Sequence, residues 1–255
     1  MQLTDGIAIF AAGVGAGVVN AVAGGGTLLS FPVLLWAGRD PIMANATNAL
    51  ALWPGALAGA FGFRRELAKA PRLLGLLLPP ALVGGLAGGW LLLRTGSRVF
   101  SSVVPYLVLA ATLLLALQRP LRRLVRAPER VEVHEGRRAV GLVVGQLIVS
   151  IYGGYFGAGM GILMLATLGL YGIVDIHERN GLKNVLGAVI NGVAGIYFAV
   201  SGAIDWGDAA LLGVGAIAGG YAGASLGRKL SRNVAELVVV AIGVAMTVSL
   251  FLRSR

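Results

Sequence analysis

Polar groups able to hold a solute gather at two places in this chain. The first comprises Asn20, Gly24, Gly25, Gly26 and Thr27, followed by Asn45, Thr47 and Asn48. The second comprises Tyr152, Tyr155, Gly157 and Gly159, followed by Asn180, Lys183 and Asn184. Glycines at a helix break let backbone N–H groups face a ligand, and the N-terminus of the next helix adds about half an elementary positive charge. Hydroxyl and amide side chains add neutral hydrogen bonds, so each cluster suits a small oxyanion, and two such half-sites are expected to converge near the membrane midplane. The same residues have structural uses. Asn45 and Asn180 are placed to cap helices, and Lys183 is placed to snorkel into headgroups. Gly84 with Gly88, and the series Gly215, Gly219, Gly223 and Gly227, read as packing ridges between helices. Asp40, Asp175 and His177 fall at span ends, in solvated loops.

No Asp or Glu falls in the interior of an apolar span, Glu236 standing at the edge of the last one, so a carboxylate proton relay has no residues to run on. There is no Cys, no HExxH, no GxSxG and no phosphate-binding GxxxxGK[ST]. No catalytic residue, metal ligand or cofactor is therefore expected, and the chain is not read as an enzyme. Transport is expected to be passive or coupled to another gradient.

The elements that must position these clusters follow from hydropathy. The chain is 57% hydrophobic and 13% charged, with 40 glycines and mean hydropathy +0.83, a membrane-protein composition. Apolar runs of 18 or more residues recur at 73–93, 99–117, 209–226 and 234–252. Without period-two alternation they exclude a barrel, so the fold class is all-α. The net charge of +10 comes from short loops between spans and needs no nucleic acid to explain it. The first residues lack the basic region of a cleaved signal, so the first apolar segment is expected to remain.

A shift of 135 residues pairs Gly24, Gly26 and Leu28 with Gly159, Gly161 and Leu163, Asp40 and Asn45 with Asp175 and Asn180, and Phe63 with Phe198. Asp, Asn and Phe are scarce here, so one constant offset serving them all reads as an internal duplication. The expected units are a first transmembrane repeat over 1–117, a basic cytoplasmic linker over 118–138 and a second repeat over 139–255. Each repeat opens with a glycine-interrupted segment, 6–37 and 141–171, whose arms of about fifteen residues reach about 22 Å, short of a hydrocarbon core of about 30 Å. That length predicts re-entrant hairpins. Loop charges agree: two hairpins put 16 Lys/Arg in the cytoplasm against 5 outside, whereas two single spans give 13 against 8. A hairpin plus three helices crosses an odd number of times, so the repeats are expected to be inverted, with both termini outside a cell inner membrane.

The first-half run Asn20-Ala21-Val22-Ala23-Gly24-Gly25-Gly26-Thr27-Leu28-Leu29-Ser30-Phe31-Pro32, followed by Ala44-Asn45-Ala46-Thr47-Asn48, resembles the TauE/SafE family of membrane transporters over the whole length. The second half departs from it, with Gly157-Ala158-Gly159 for the triple glycine and Arg179-Asn180-Gly181-Leu182-Lys183-Asn184 for Ala-Asn-Ala-Thr. The resemblance implies a permease or exporter of small sulfur oxyanions or organosulfonates, such as sulfite or sulfoacetate. An anion channel sharing the same site, and a membrane scaffold or accessory subunit, are the alternatives. The expected partners are a small anionic substrate and the lipid bilayer, with no nucleic acid; a homo-oligomer is left open.

Overall fold

The computed structural model describes residues 3–22, 25–62, 64–68, 70–118, 136–171, 173, 175–226 and 232–253. Gly24 and most of the 118–138 linker lie outside them, as do Phe63 and Gly227. Every regular element among the described residues is a helix: α1 (Leu3–Val22), α2 (Thr27–Trp36), α3 (Pro41–Gly62), α4 (Arg64–Leu67), α5 (Pro71–Thr95), α6 (Ser97–Ala116), α7 (Arg137–Tyr155), α8 (Met160–Leu170), α9 (Ile176–Val200), α10 (Trp206–Leu226) and α11 (Arg232–Arg253). In hydrocarbon each backbone N–H and C=O must be paired within its own segment, and apolar runs of this length meet that demand as helices. Stretches within α1, α5, α6 and α9 are long and apolar enough to cross a membrane, and α2 and α8 are shorter apolar helices. The chain is a multi-pass membrane protein.

Helix boundaries follow local chemistry. The Asp40 carboxylate accepts N–H bonds from Ile42 at 3.0 Å and Met43 at 3.3 Å, starting α3. Asp175 does the same for α9 through the Glu178 N–H at 3.4 Å. Asn45 and Asn180 therefore do not cap; each lies a turn inside its helix. Between α1 and α2 the chain turns at Gly25, whose φ of 102° is open to glycine and strained for other residues. Residues across the break face each other in reverse order: a Cβ at Gly26 would meet Ala16 and Asn20, and one at Gly15 would meet Leu29. Gly153 lies beside Met160, Gly145 beside Thr167 and Gly141 beside Tyr171, so α8 runs back along α7 as α2 does along α1.

Glycine ridges decide which helices meet over the greatest length. α1 lies along α10 and α5 along α7. A Cβ on Gly219 would run into the Val14 carbonyl and one on Gly17 into the Ala216 carbonyl. In the second pair, Gly84 sits against Ser150 and Gly88 against the Ile151 carbonyl. Such close approach of backbones supplies the dispersion that holds helices together where lipid competes for apolar surface. Residue numbers rise together along both interfaces, so the paired helices run parallel. α3 and α9 instead cross antiparallel, with Trp53 on Gly192 and Leu50 on Gly195, and the Trp53 indole N–H donates to the Ala188 carbonyl at 2.9 Å. α6 and α11 are also antiparallel, with Thr112 beside Gly243 and the Tyr106 and Phe251 rings 5.2 Å apart.

Candidate functional site

The first cluster is built on the break after α1. The Asn20 side-chain oxygen accepts the Gly26 N–H at 2.8 Å, which ties the turn shut and commits that amide internally. Gly26 is the residue before α2, and its carbonyl lies 3.1 Å from the hydroxyl of buried Ser30 one turn later. The same hydroxyl lies 2.5 Å from Asn48 Oδ1 on α3, joining the broken helix to the next one. Asn45, Thr47 and Asn48 are all buried, yet they point at different partners. Asn45 Nδ2 donates to the Tyr155 carbonyl at the end of α7, 3.0 Å away. Thr47 Oγ accepts the Asp205 N–H at 3.0 Å.

The second cluster is tied in the same manner. The Tyr152 hydroxyl donates to the Ala158 carbonyl at 2.5 Å, pinning the turn that follows α7. Gly157 and Gly159, with φ of 78° and 76°, let the chain reverse there. Tyr155 contributes its carbonyl to Asn45, while its ring packs edge-on against Phe100 at 5.6 Å. The Lys183 methylenes lie against Gly161 at the start of α8, so α9 flanks this turn with the aliphatic part of the lysine. Asn180 and Asn184 are half-buried on the same helix.

The two turns meet. Gly25 faces Leu115 of α6 at 3.8 Å, and Gly159 faces Ala111 of α6 at 3.7 Å, both measured from an added Cβ. Ala111 and Leu115 are one helical turn apart, about 6 Å along the axis. The ring of Phe31 in α2 and that of Phe156, just after α7, touch edge to face at 5.4 Å. Asn45 and the Tyr155 carbonyl bridge the clusters directly.

Over residues 9–250 the sequence matches the family described as sulfite exporter TauE/SafE. The chain belongs to the TauE/SafE family. Among its relatives is a probable membrane transporter protein of Haemophilus influenzae, 28% identical over 215 residues that cover 83% of this chain and 80% of the relative. A second is the probable membrane transporter protein YfcA of Escherichia coli K12, 27% identical over 208 residues, 80% of this chain and 74% of the relative. A third, ORF9 of a Sinorhizobium species, likewise a probable membrane transporter protein, is 27% identical over 220 residues. No solved structure matches the chain significantly.

In this TauE/SafE protein the sequence-expected residues divide by what they bond. Asn20, Asn45, Thr47, Asn48 and Tyr152 already hold backbone or side-chain partners. Thr27, Asn180 and Asn184 are half-buried and make no hydrogen bond among the described residues. Gly24 lies outside the described residues. Two polar groups escaped the sequence reading. Ser30 stands four residues after Gly26 inside the motif quoted for the resemblance, the spacing at which a serine hydroxyl reaches back to a helix carbonyl. Asn191, half-buried on α9, has its side-chain oxygen 4.0 Å from a Cβ built on Gly157, and no motif marks it.

A charged cluster also escaped. Arg39 follows α2, Asp205 and Asp208 lie where α10 begins, and the three form one ion group. Bonding to Asp208 holds the Arg39 guanidinium above its ordinary range, against burial, which lowers it.

Proposed function

We propose that this TauE/SafE protein is a secondary transporter of small anions, sulfur oxyanions or organosulfonates such as sulfite or sulfoacetate, working by alternating access around a midplane site. The observation that carries this is the meeting of two glycine-broken turns against successive turns of α6. Half-helices ending at the middle of a bundle point their N-terminal dipoles and unpaired backbone at a solute, the usual construction of secondary-transporter sites. Each half is read as a re-entrant hairpin plus three transmembrane helices, the halves inverted, with both termini outside the inner membrane. The antiparallel crossings support this. Trp53 and Ala188 are separated by the 135-residue offset and bond to each other, and two repeat-mates can touch only on a two-fold axis between the halves. On this reading the antiparallel run of α3 and α9 puts that axis in the membrane plane.

Thr27 and Asn184 supply donors for the anion. Asn45 supplies something different. Its nitrogen is held by the Tyr155 carbonyl, which accepts and cannot donate, so its buried oxygen is the atom left without a partner. A buried acceptor in that state favours a ligand that brings its own O–H or N–H. The preferred substrate is thus an oxyanion that keeps a proton or carries a hydroxyl or amino group. Flux into proteoliposomes of the purified protein tests the proposal. Saturable movement of sulfite or an organosulfonate is expected, and no flux of sulfite, sulfonates, sulfate or small carboxylates would reject it.

A further inference from the structure

The site leaves unused a chain of charged and polar groups that begins at the surface where α3 and α10 start. Arg39 donates from Nε to Asp208 Oδ2 at 2.5 Å and from a terminal nitrogen to Oδ1 at 3.1 Å, and its Nε is 3.7 Å from Asp205 Oδ2. The Asp208 side chain is 0% exposed. Its backbone N–H bonds Asp205 Oδ1 at 3.0 Å, and the Asp205 N–H in turn bonds Thr47 Oγ at 3.0 Å. Thr47 lies between Asn45 and Asn48 on α3. An unbroken series of hydrogen bonds therefore runs from a surface ion pair to the helix that carries the candidate site, and it crosses from the first half of the chain to the second.

Burying a carboxylate beside a guanidinium is a poor way to gain stability, because desolvation offsets the attraction, and the best-attested use of such pairs is to fix register or to switch. The two-ended symmetry makes the placement informative. Under the 135-residue shift Arg39, Asp205 and Asp208 correspond to Val174, Ala70 and Leu73, so the equivalent position at the opposite end carries no charge. Inverted halves exchange conformations as access alternates. A two-pronged tie at this end, with no charged counterpart at the positions related by the 135-residue shift, would bias that exchange toward the state closed at this end.

We propose, resting on the transport reading above, that Arg39 and Asp208 form the outer gate and hold the resting protein closed to the outside. The chain has no cysteine, so a single reporter thiol can be placed on the helix that carries the candidate site without background. Ala44, buried one turn inside α3, is the position. In right-side-out vesicles, Ala44→Cys is expected to react slowly with a membrane-impermeant maleimide added outside. Adding Arg39→Gln or Asp208→Asn should raise that rate at least tenfold, and the exchanged pair Arg39→Asp with Asp208→Arg should restore the slow rate. A rate unchanged by Arg39→Gln, in protein that still elutes as wild type from a sizing column, overturns the gate. Should Arg39→Gln not fold, Arg39→Lys keeps the charge but loses the fork, and it must give an intermediate rate; an unchanged one again overturns the gate. Labelling needs no substrate. Absent anion flux therefore rejects the transport reading, whereas intact flux with a flat labelling rate rejects the gate alone.

Discussion

Asn45→Leu separates what this residue does for the fold from what it does for a ligand. In the substrate-free protein the change removes two things at once. The Tyr155 carbonyl loses its donor, which costs about 1–3 kcal/mol for a buried acceptor left unpaired. The Asn45 oxygen, already buried without a partner, disappears, and its removal returns a penalty of about the same size. Leucine matches asparagine in branching but is bulkier, and Asn45 is buried, so with the two polar terms offsetting each other the net change should be a loss of about 1–3 kcal/mol from overpacking. The ligand-bound state is different. In wild type a donor-bearing anion would pair the Asn45 oxygen and recover about 1–3 kcal/mol, a preference of about five- to 150-fold over an anion of the same shape without the donor. In Asn45→Leu nothing remains to be recovered.

The assay compares hydroxyethanesulfonate with ethanesulfonate, which share charge and headgroup and differ in one hydroxyl. Proteoliposome flux should favour the hydroxylated anion at least fivefold in wild type and about equally in Asn45→Leu. Ligand-dependent thermal stabilisation should follow the same ratio, since stabilisation grows with ligand concentration over Kd. Equal handling of the two anions by wild type would refute the reasoning, as would a preference that survives in Asn45→Leu.

Four further changes probe the scaffold. Gly219→Val should sharply reduce folded yield in a sizing column, because its Cβ would enter the Val14 carbonyl; overpacking of this kind costs about 1–3 kcal/mol or more. Gly220→Ala, next to it with open space around its Cβ, should behave as wild type. Gly159→Ala meets nothing closer than 3.7 Å, so its expected loss of about 1–2 kcal/mol, read as a lowered melting temperature, comes from the left-handed backbone alone. Ser30→Ala should cost about 0.5–1.5 kcal/mol, with a fall in flux as α2 loses its tie to Asn48.

Much of this architecture was legible in the residues because hydrocarbon permits few alternatives. Apolar length dictates helices and glycines dictate where they break; the helix starts at Asp40 and Asp175 were not legible, because Asn45 and Asn180 offer the same capping chemistry five residues later. Partner choice among helices was not legible. Gly84 with Gly88 and Gly215 with Gly219 advertise close packing, yet a small-residue ridge fits any smooth helix and does not name α7 or α1 as its mate. The ion group was hidden for a related reason: Arg39 and Asp208 stand 169 residues apart, and only the fold brings them to one loop cluster.

The candidate site shows where residue type alone misleads. Asn20, Asn45 and Tyr152 are donors or acceptors at the right places, but a helix broken inside a membrane creates unpaired backbone groups of its own, and these claim the nearest side chains first. Asn20 closes on the Gly26 N–H, Tyr152 on the Ala158 carbonyl and Asn45 on the Tyr155 carbonyl. These three are what keep the breaks in shape, and removing Asn20 or Tyr152 should loosen a turn before it weakens a ligand. On the proposed transport reading, recognition falls to what the breaks leave over: the Thr27 hydroxyl, the Asn184 and Asn191 amides, and the one side of the Asn45 amide that no backbone group has taken.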